Sequence, residues 1–224
     1  MLTYTDNDCS LLMQQIDGKL DGLLQFWRTH PHWLKHVRKT SGSKVVGSHN
    51  VIDLGCANGQ FLHTYKMLYP QADCYGINFF DSQLTRCKAA GLNLSHGDIT
   101  DTEHNWWPSP SFRKVFCHYT LGHIVKWKWS YLFESVFDNL EPGGEFVIWD
   151  ICQKHVEKNE IYGYQLYPPC EVIDYLSDAG FEVTTKGGSR KWGLHPDLYT
   201  LLKPDEIDAI RRYTCPVLYK AVRL

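Results

Sequence analysis

Read as a string of apolar and polar positions, the chain changes period several times. Short apolar runs at Val51–Leu54, Cys74–Ile77, Leu92–Leu94, Val115–Tyr119 and Phe146–Trp149 have the length and composition of buried strands. Between them the period lengthens to that of a helix. In Phe61-Leu62-x-x-Tyr65-x-x-Leu68-Tyr69 the apolar side chains share one face, and Pro70 ends the run. Ser82–Ala90 stops at Gly91 and Glu171–Ala179 stops at Gly180, a residue type suited to a helix exit. Tyr131–Leu140 stops at Glu141-Pro-Gly-Gly144, which reads as a turn.

Strands alternating with helices of this length predict βαβ units and a mainly parallel sheet. Phe181–Thr185 and Val217–Val222 add two strands separated by a long polar insertion, which predicts an antiparallel pair at one edge. The predicted class is α/β, a three-layer sandwich around a mainly parallel seven-stranded sheet with a C-terminal antiparallel hairpin. Two further helices are predicted upstream, at Cys9–Trp27 and Pro31–Lys39, before a Ser/Gly/Lys-rich linker from Thr40 to Asn50. The expected division is therefore a helical cap and linker over residues 1–44 and a sheet domain over residues 45–224. Tyr164-Gln-Leu-Tyr-Pro-Pro169 is expected to be an irregular, pocket-lining connection, because two prolines stiffen it and exclude helix.

Composition narrows the function classes. A net charge of −2 gives no general attraction to nucleic acid or anionic membrane. No segment approaches the roughly 20 apolar residues of a bilayer span, and Met1-Leu-Thr-Tyr-Thr-Asp lacks the basic start and apolar run of a secretory leader. The eight cysteines form no Cys-x-x-Cys pair, and Cys74, Cys87 and Cys117 fall inside predicted elements. Reduced thiols, a cytoplasmic location and no zinc site are expected. His32 and His36 have the i, i+4 spacing of a helical metal pair, but no carboxylate motif joins them, so a solvated face beside Lys35, Arg38 and Lys39 is expected and no metal. Aromatic residues make up 14% of the chain, enough to fill a core, to line a pocket for an apolar or cationic ligand, or both.

The chemistry concentrates where strands end. Val51-Ile-Asp-Leu-Gly-Cys-Ala-Asn-Gly59 joins the first strand directly to a helix. Gly55 and Gly59 let the backbone approach a ligand, the helix presents free N–H groups, and Asp53 can accept from a cationic amine or a hydroxyl. A dinucleotide site normally shows Gly-x-Gly-x-x-Gly. The spacing Gly55-x-x-x-Gly59 after an acid suits a cationic nucleoside better than a diphosphate.

This loop resembles the first motif of class I, Rossmann-like S-adenosylmethionine-dependent methyltransferases, with Ala57 where a third glycine is usual. Later segments resemble the same family in the same order, and the likeness spans about residues 45 to 185. It implies that Asp53, Gly55, Cys56, Ala57 and Gly59 hold the cofactor. It also implies that Asn78 and Phe79, within Gly76-Ile-Asn-Phe-Phe-Asp-Ser-Gln83, meet the ribose end with Gln83. Asp98 and Ile99, after Gly97, would read the adenine. Leu140-Glu-Pro-Gly-Gly144 is a frequent structural signature of the family. The ribose position usually carries an acid, and Asn78 with Gln83 is similar instead to cyclopropane synthase-like enzymes and isoprenoid carbon-methyltransferases.

The fourth strand, Val115-Phe-Cys-His-Tyr-Thr-Leu-Gly-His-Ile124, is expected to end beside the transferred methyl group. His118 therefore counts as cofactor-binding, and His123, His118 and Tyr119 are the catalytic candidates, as base or substrate-orienting groups. In the lipid-modifying branch a Glu-His pair stands at Gly122 and His123, so the acid is missing here. Trp127, Trp149 and Tyr167 are the candidate walls of a substrate pocket, among other aromatic residues on the same loops (Trp106, Trp107, Trp129, Tyr162 and Tyr164). The activity expected is small-molecule methylation, with methyl transfer from S-adenosyl-L-methionine to carbon or oxygen of a small, mostly uncharged metabolite. The alternative is an inactive methyltransferase-like module that retains the nucleoside site. A nicotinamide dehydrogenase is disfavoured by the absent third glycine. A nucleic-acid methyltransferase is disfavoured because His118-Tyr-Thr-Leu121 lacks the Pro-Pro-aromatic motif and no basic groove is evident.

Overall fold

Local sequence accounts for where each element begins, and the computed structural model shows the result for residues 31–84, 92–103, 106–108, 111–154, 160–161, 164–187, 208, 212 and 214–224. The expected helix Cys9–Trp27, most of Ser82–Ala90, Tyr162, and most of the insertion after Lys186 lie outside the described residues. The chain divides into two compact units, Met1–Pro110 and Ser111–Leu224.

In the first unit, helix α1 (Pro31–Thr40) precedes strand β1 (His49–Leu54), helix α2 (Gln60–Leu68), strand β2 (Ala72–Asn78), the short helix α3 (Asp81–Leu84) and strand β3 (Asn93–His96). The strands lie in the order β3-β2-β1 and both pairs are parallel. Strand β1 is buried at five of its six positions, which explains a continuous apolar run rather than an alternating one. Helix α2 buries Phe61, Leu62, Thr64 and Tyr65. The Tyr65 hydroxyl also lies 3.0 Å from His49 Nε2, fixing the helix to the start of β1. Gly76 on β2 leaves no space for a side chain, since a Cβ there would stand 2.7 Å from Cys56 Sγ and 2.9 Å from Leu62 Cδ1.

The second unit begins with strand β4 (Phe112–His118) and two 3-10 turns, Leu121–His123 and Lys126–Lys128. Helix α4 (Trp129–Asn139) leads into strand β5 (Leu140–Gln153), a two-stranded ribbon of β6 (Glu160–Ile161) and β7 (Tyr164–Gln165), helix α5 (Pro169–Asp178), and strands β8 (Glu182–Gly187) and β9 (Thr214–Val222). The order is β4-β5-β9-β8, with β4 and β5 parallel and β9 antiparallel to both neighbours. Seven strands thus build the framework, three in the first unit and four in the second, with the C-terminal pair antiparallel as expected.

Three boundaries differ from expectation. Strand β4 stops at His118, because Tyr119 adopts a left-handed backbone with φ 52. Strand β5 starts at Leu140 and includes Glu141–Gly144, the segment expected as a turn, where the Gly143 N–H donates to Arg223 O at 2.7 Å. Pro169 does not exclude helix: it occupies the first turn of α5, where a missing N–H costs no hydrogen bond.

Much of the aromatic content packs the second unit. Trp129, Trp149, Phe112, Phe116, Phe133, Phe146 and Tyr219 are all buried there, with edge-to-face contacts such as Phe133–Phe146 at 5.7 Å. Within this core Lys114 on β4 pairs with Glu145 on β5 at 3.2 Å, and Lys220 on β9 pairs with the other oxygen of Glu145 at 2.7 Å. Among the described residues, no helix is long and apolar enough to cross a membrane.

Candidate active site

The loops that follow β1, β2 and β3 are joined by hydrogen bonds at the C-terminal ends of the strands. Gly55, Ala57 and Gly59 take φ of 76, 47 and 72, so the chain turns sharply three times before α2 begins. Glycine meets this demand freely at Gly55 and Gly59; Ala57 meets it with a methyl group in the left-handed region. The loop is pinned to β2, since the Gly55 and Cys56 N–H groups donate to Ile77 O at 2.9 and 3.0 Å. The Ala57 N–H donates to Asn78 Oδ1 at 3.2 Å, and Asn78 Nδ2 donates to Phe80 O at 3.1 Å. The Asn78 carbonyl accepts the Gly97 N–H at 3.0 Å, so one residue touches all three loops.

Asp53 stands at the end of β1, 3% exposed, and its Oδ1 is buried with no hydrogen-bond partner among the described residues. Burial pushes its carboxyl pKa up to about 8. Such a group is costly in isolation, and a cationic or hydrogen-bond-donating ligand would relieve the cost. Asp98 accepts the N–H and hydroxyl of Thr100 at 2.8 and 2.7 Å, both on Oδ1. Ile99 is buried behind it, while Phe79 is 59% exposed with its ring 6.5 Å from that of His96. Trp106 and Trp107 stack on each other at 4.3 Å. Gln83 lies on α3, and its side chain is outside the described residues. The first unit therefore brings Asp53, Gly55, Cys56, Ala57, Gly59 and Asn78 together at one connected set of strand ends.

In the second unit the candidates cluster around the turn after β4. Tyr119 donates its N–H to Trp149 O at 2.9 Å, and the Trp149 indole N–H donates to the Tyr119 hydroxyl at 2.7 Å. Trp149 is thereby packed in the core, whereas Trp127 on the second 3-10 turn is 74% exposed. Half-buried His118 packs its ring 5.7 Å from that of Phe116. His123 is an exposed residue, yet its ring meets Tyr164 edge-on at 4.8 Å, and the partial desolvation there lowers the imidazole pKa from its ordinary value.

Asp150, which sequence reasoning did not single out, organises this turn. Its Oδ2 accepts the Leu121 N–H at 3.2 Å, and its Oδ1 accepts the Ile151 N–H at 2.7 Å and the Tyr164 hydroxyl. Burial nevertheless raises its carboxyl pKa to about 7. A charged residue at the end of the apolar run Phe146–Trp149 was the available signal. Tyr164 lies over Gly122, where a Cβ would come within 2.1 Å of the tyrosine ring. Beside these groups is a small cavity bounded by Gly122, Trp129, Asp150, Cys152, Gln165 and Tyr167. Trp129 is fully buried there, with an indole N–H that has no acceptor among the described residues and a ring 4.4 Å from that of Tyr167.

Comparison with known proteins gives this geometry its context. A family model described as a methyltransferase domain matches residues 47–192. The carboxy-S-adenosyl-L-methionine synthase of Wolinella succinogenes is 27% identical over 124 residues, 52% of this chain and 48% of that protein. The chain thus spans about half the length of this curated relative. Among solved structures, the [4+2]-cyclase SpnF superposes with a TM-score of 0.67 at 13% identity, covering 86% of this chain and 80% of that one. The geranyl diphosphate C-methyltransferase of Streptomyces coelicolor, bound to Mg2+, geranyl diphosphate and S-adenosyl-L-homocysteine, gives 0.66 at 12% identity over 88% and 80%. These structures share the fold, and the family model covers well over half of the chain: it belongs to the S-adenosylmethionine-dependent methyltransferase family.

Proposed function

We propose that this chain transfers a methyl group from S-adenosylmethionine to carbon or oxygen of a small, mostly uncharged metabolite. The observation that carries the cofactor half is the buried, unpartnered Oδ1 of Asp53 beside a loop of three left-handed residues. In this reading Asp53, Gly55, Cys56, Ala57 and Gly59 hold the amino-acid end of the cofactor. Asn78, Phe79 and Gln83 hold the ribose, Asp98 and Ile99 the adenine, and His118 the side nearest the sulfur. When bound, the cofactor supplies an activated methyl group on a sulfonium, so the protein needs only to align the acceptor and, for some acceptors, remove a proton.

On the acceptor side, His123 is the base or orienting group. Its lowered pKa leaves the imidazole neutral and able to accept a proton at neutral pH. Tyr119, held in place by Trp149, presents a fixed hydroxyl. Trp127 and Tyr167 form the aromatic side of the substrate site, and Trp149 serves it from the core through its hydrogen bond to Tyr119. A cytoplasmic location fits the buried thiols Cys56, Cys74, Cys117 and Cys152, none of them disulfide-bonded. No nucleic-acid partner is proposed, given the net charge of −2.

Titration calorimetry with S-adenosylhomocysteine tests the reading, with micromolar binding expected and negligible binding of nicotinamide cofactors. The reverse preference would remove it. Turnover of labelled S-adenosylmethionine against a metabolite extract then separates a transferase from a module that only binds.

A further inference from the structure

We propose that Asn78 is a positioning residue whose amide clasps the cofactor loop in its binding shape, so that this site requires an amide where a carboxylate would weaken it. The inference rests on the reading of these loops as the nucleoside site and concerns what holds them.

An amide side chain has two unlike ends, an acceptor oxygen and a donor nitrogen. Asn78 uses both. Its oxygen takes the N–H of Ala57 in the first loop at 3.2 Å, and its nitrogen gives a hydrogen to the Phe80 carbonyl in the second loop at 3.1 Å. Asn78 as a residue is 7% exposed, and both of these hydrogen bonds are partly buried. The residue it holds on one side is Ala57, the non-glycine residue at φ 47 in that loop. A backbone disfavoured by its own side chain persists only where surrounding contacts impose it. The neighbouring Gly55 and Cys56 N–H groups are held by the Ile77 carbonyl, which leaves the Ala57 N–H to the Asn78 side chain. The Asn78 carbonyl in turn fixes Gly97 at the start of the third loop.

An aspartate has the same shape but two acceptors. It could still receive the Ala57 N–H, but its second oxygen would face the Phe80 carbonyl across the present hydrogen-bond distance. That is a buried repulsion in place of an attraction. If Asn78 served only ribose hydroxyls, the opposite would hold, since a carboxylate is the stronger acceptor for two O–H donors.

The test is calorimetric titration of S-adenosylhomocysteine into wild-type protein and Asn78→Asp at pH 8, with melting temperatures of the ligand-free proteins at pH 8 and pH 5. At pH 8 the variant is expected to bind at least about tenfold more weakly than wild type. The melting-temperature deficit of the ligand-free variant at pH 8 should shrink at pH 5, because a protonated carboxyl offers one acceptor and one O–H donor, as the amide does. Equal or tighter binding by Asn78→Asp at pH 8 overturns the proposal. Should the variant not fold, amide exchange of the ligand-free wild-type protein decides: protection of the Ala57 N–H supports the clasp, and exchange at the unprotected rate overturns it. Failure of the wild type itself to bind S-adenosylhomocysteine would sink the cofactor reading, while the Ala57 exchange rate would still decide the clasp.

Discussion

Ala57 shows how much a single backbone angle determines at this site. A methyl side chain at φ 47 costs about 1–2 kcal/mol relative to the right-handed region. Glycine would remove that cost and add back about 0.5–1 kcal/mol of chain entropy. Ala57→Gly is therefore expected to raise stability by about 0.5–1 kcal/mol in urea unfolding, with affinity for S-adenosylhomocysteine retained. At this scale Gly55 and Gly59 were legible, because their spacing after an acid is itself the geometric requirement. Asn78 was legible as a position but not in its bonding, since nothing local says that an amide reaches both Ala57 and Phe80. Trp149 and Trp127 were read as pocket walls from their place at strand ends. The sequence does not reveal which way a ring turns, and the structure puts Trp149 in the core and Trp127 on the surface.

Among elements, the buried ion cluster linking β4, β5 and β9 was not foreseen, because Lys114 and Glu145 are 31 residues apart and meet only through strand register. Burial lowers the Lys114 pKa to about 8, while the neighbouring Glu145 carboxylate opposes the shift. Removing that partner strands a buried cation, so Glu145→Gln is expected to destabilise the fold by about 3 kcal/mol at pH 7. The loss should shrink toward pH 10, where Lys114 becomes neutral; chemical denaturation at both pH values measures it. Alternating periods identified the strands and helices well, since each buries a face with its own repeat. The ends were less legible: β5 runs through a Pro-Gly-Gly segment expected as a turn, and α5 starts on a proline expected to forbid it.

For the molecule as a whole, Asp53 couples folding, ligand binding and pH. Its folded pKa of about 8 lies above the unfolded value near 3.9, so the folded form holds the proton more tightly. The associated stability is complete below the unfolded pKa and is lost as pH rises through about 8. The ammonium group of S-adenosylhomocysteine, a zwitterion overall, favours the ionised carboxylate and reverses that preference. Affinity for S-adenosylhomocysteine should thus rise by up to about tenfold per pH unit as pH approaches 8 and level off above it. A pH-independent affinity in calorimetry between pH 6 and 9 would show that Asp53 does not meet the ligand's charge. A different consequence follows from the ring of Tyr164 lying over Gly122. Any side chain at position 122 collides with that ring, and losing the ring removes one of the two hydrogen bonds that Asp150 Oδ1 accepts. A single substitution at position 122 is therefore a closed path, and a descendant of this chain could acquire an acid beside His123 only after Tyr164 had changed first. The present sequence is held where it is by the order in which mutations would have to arrive.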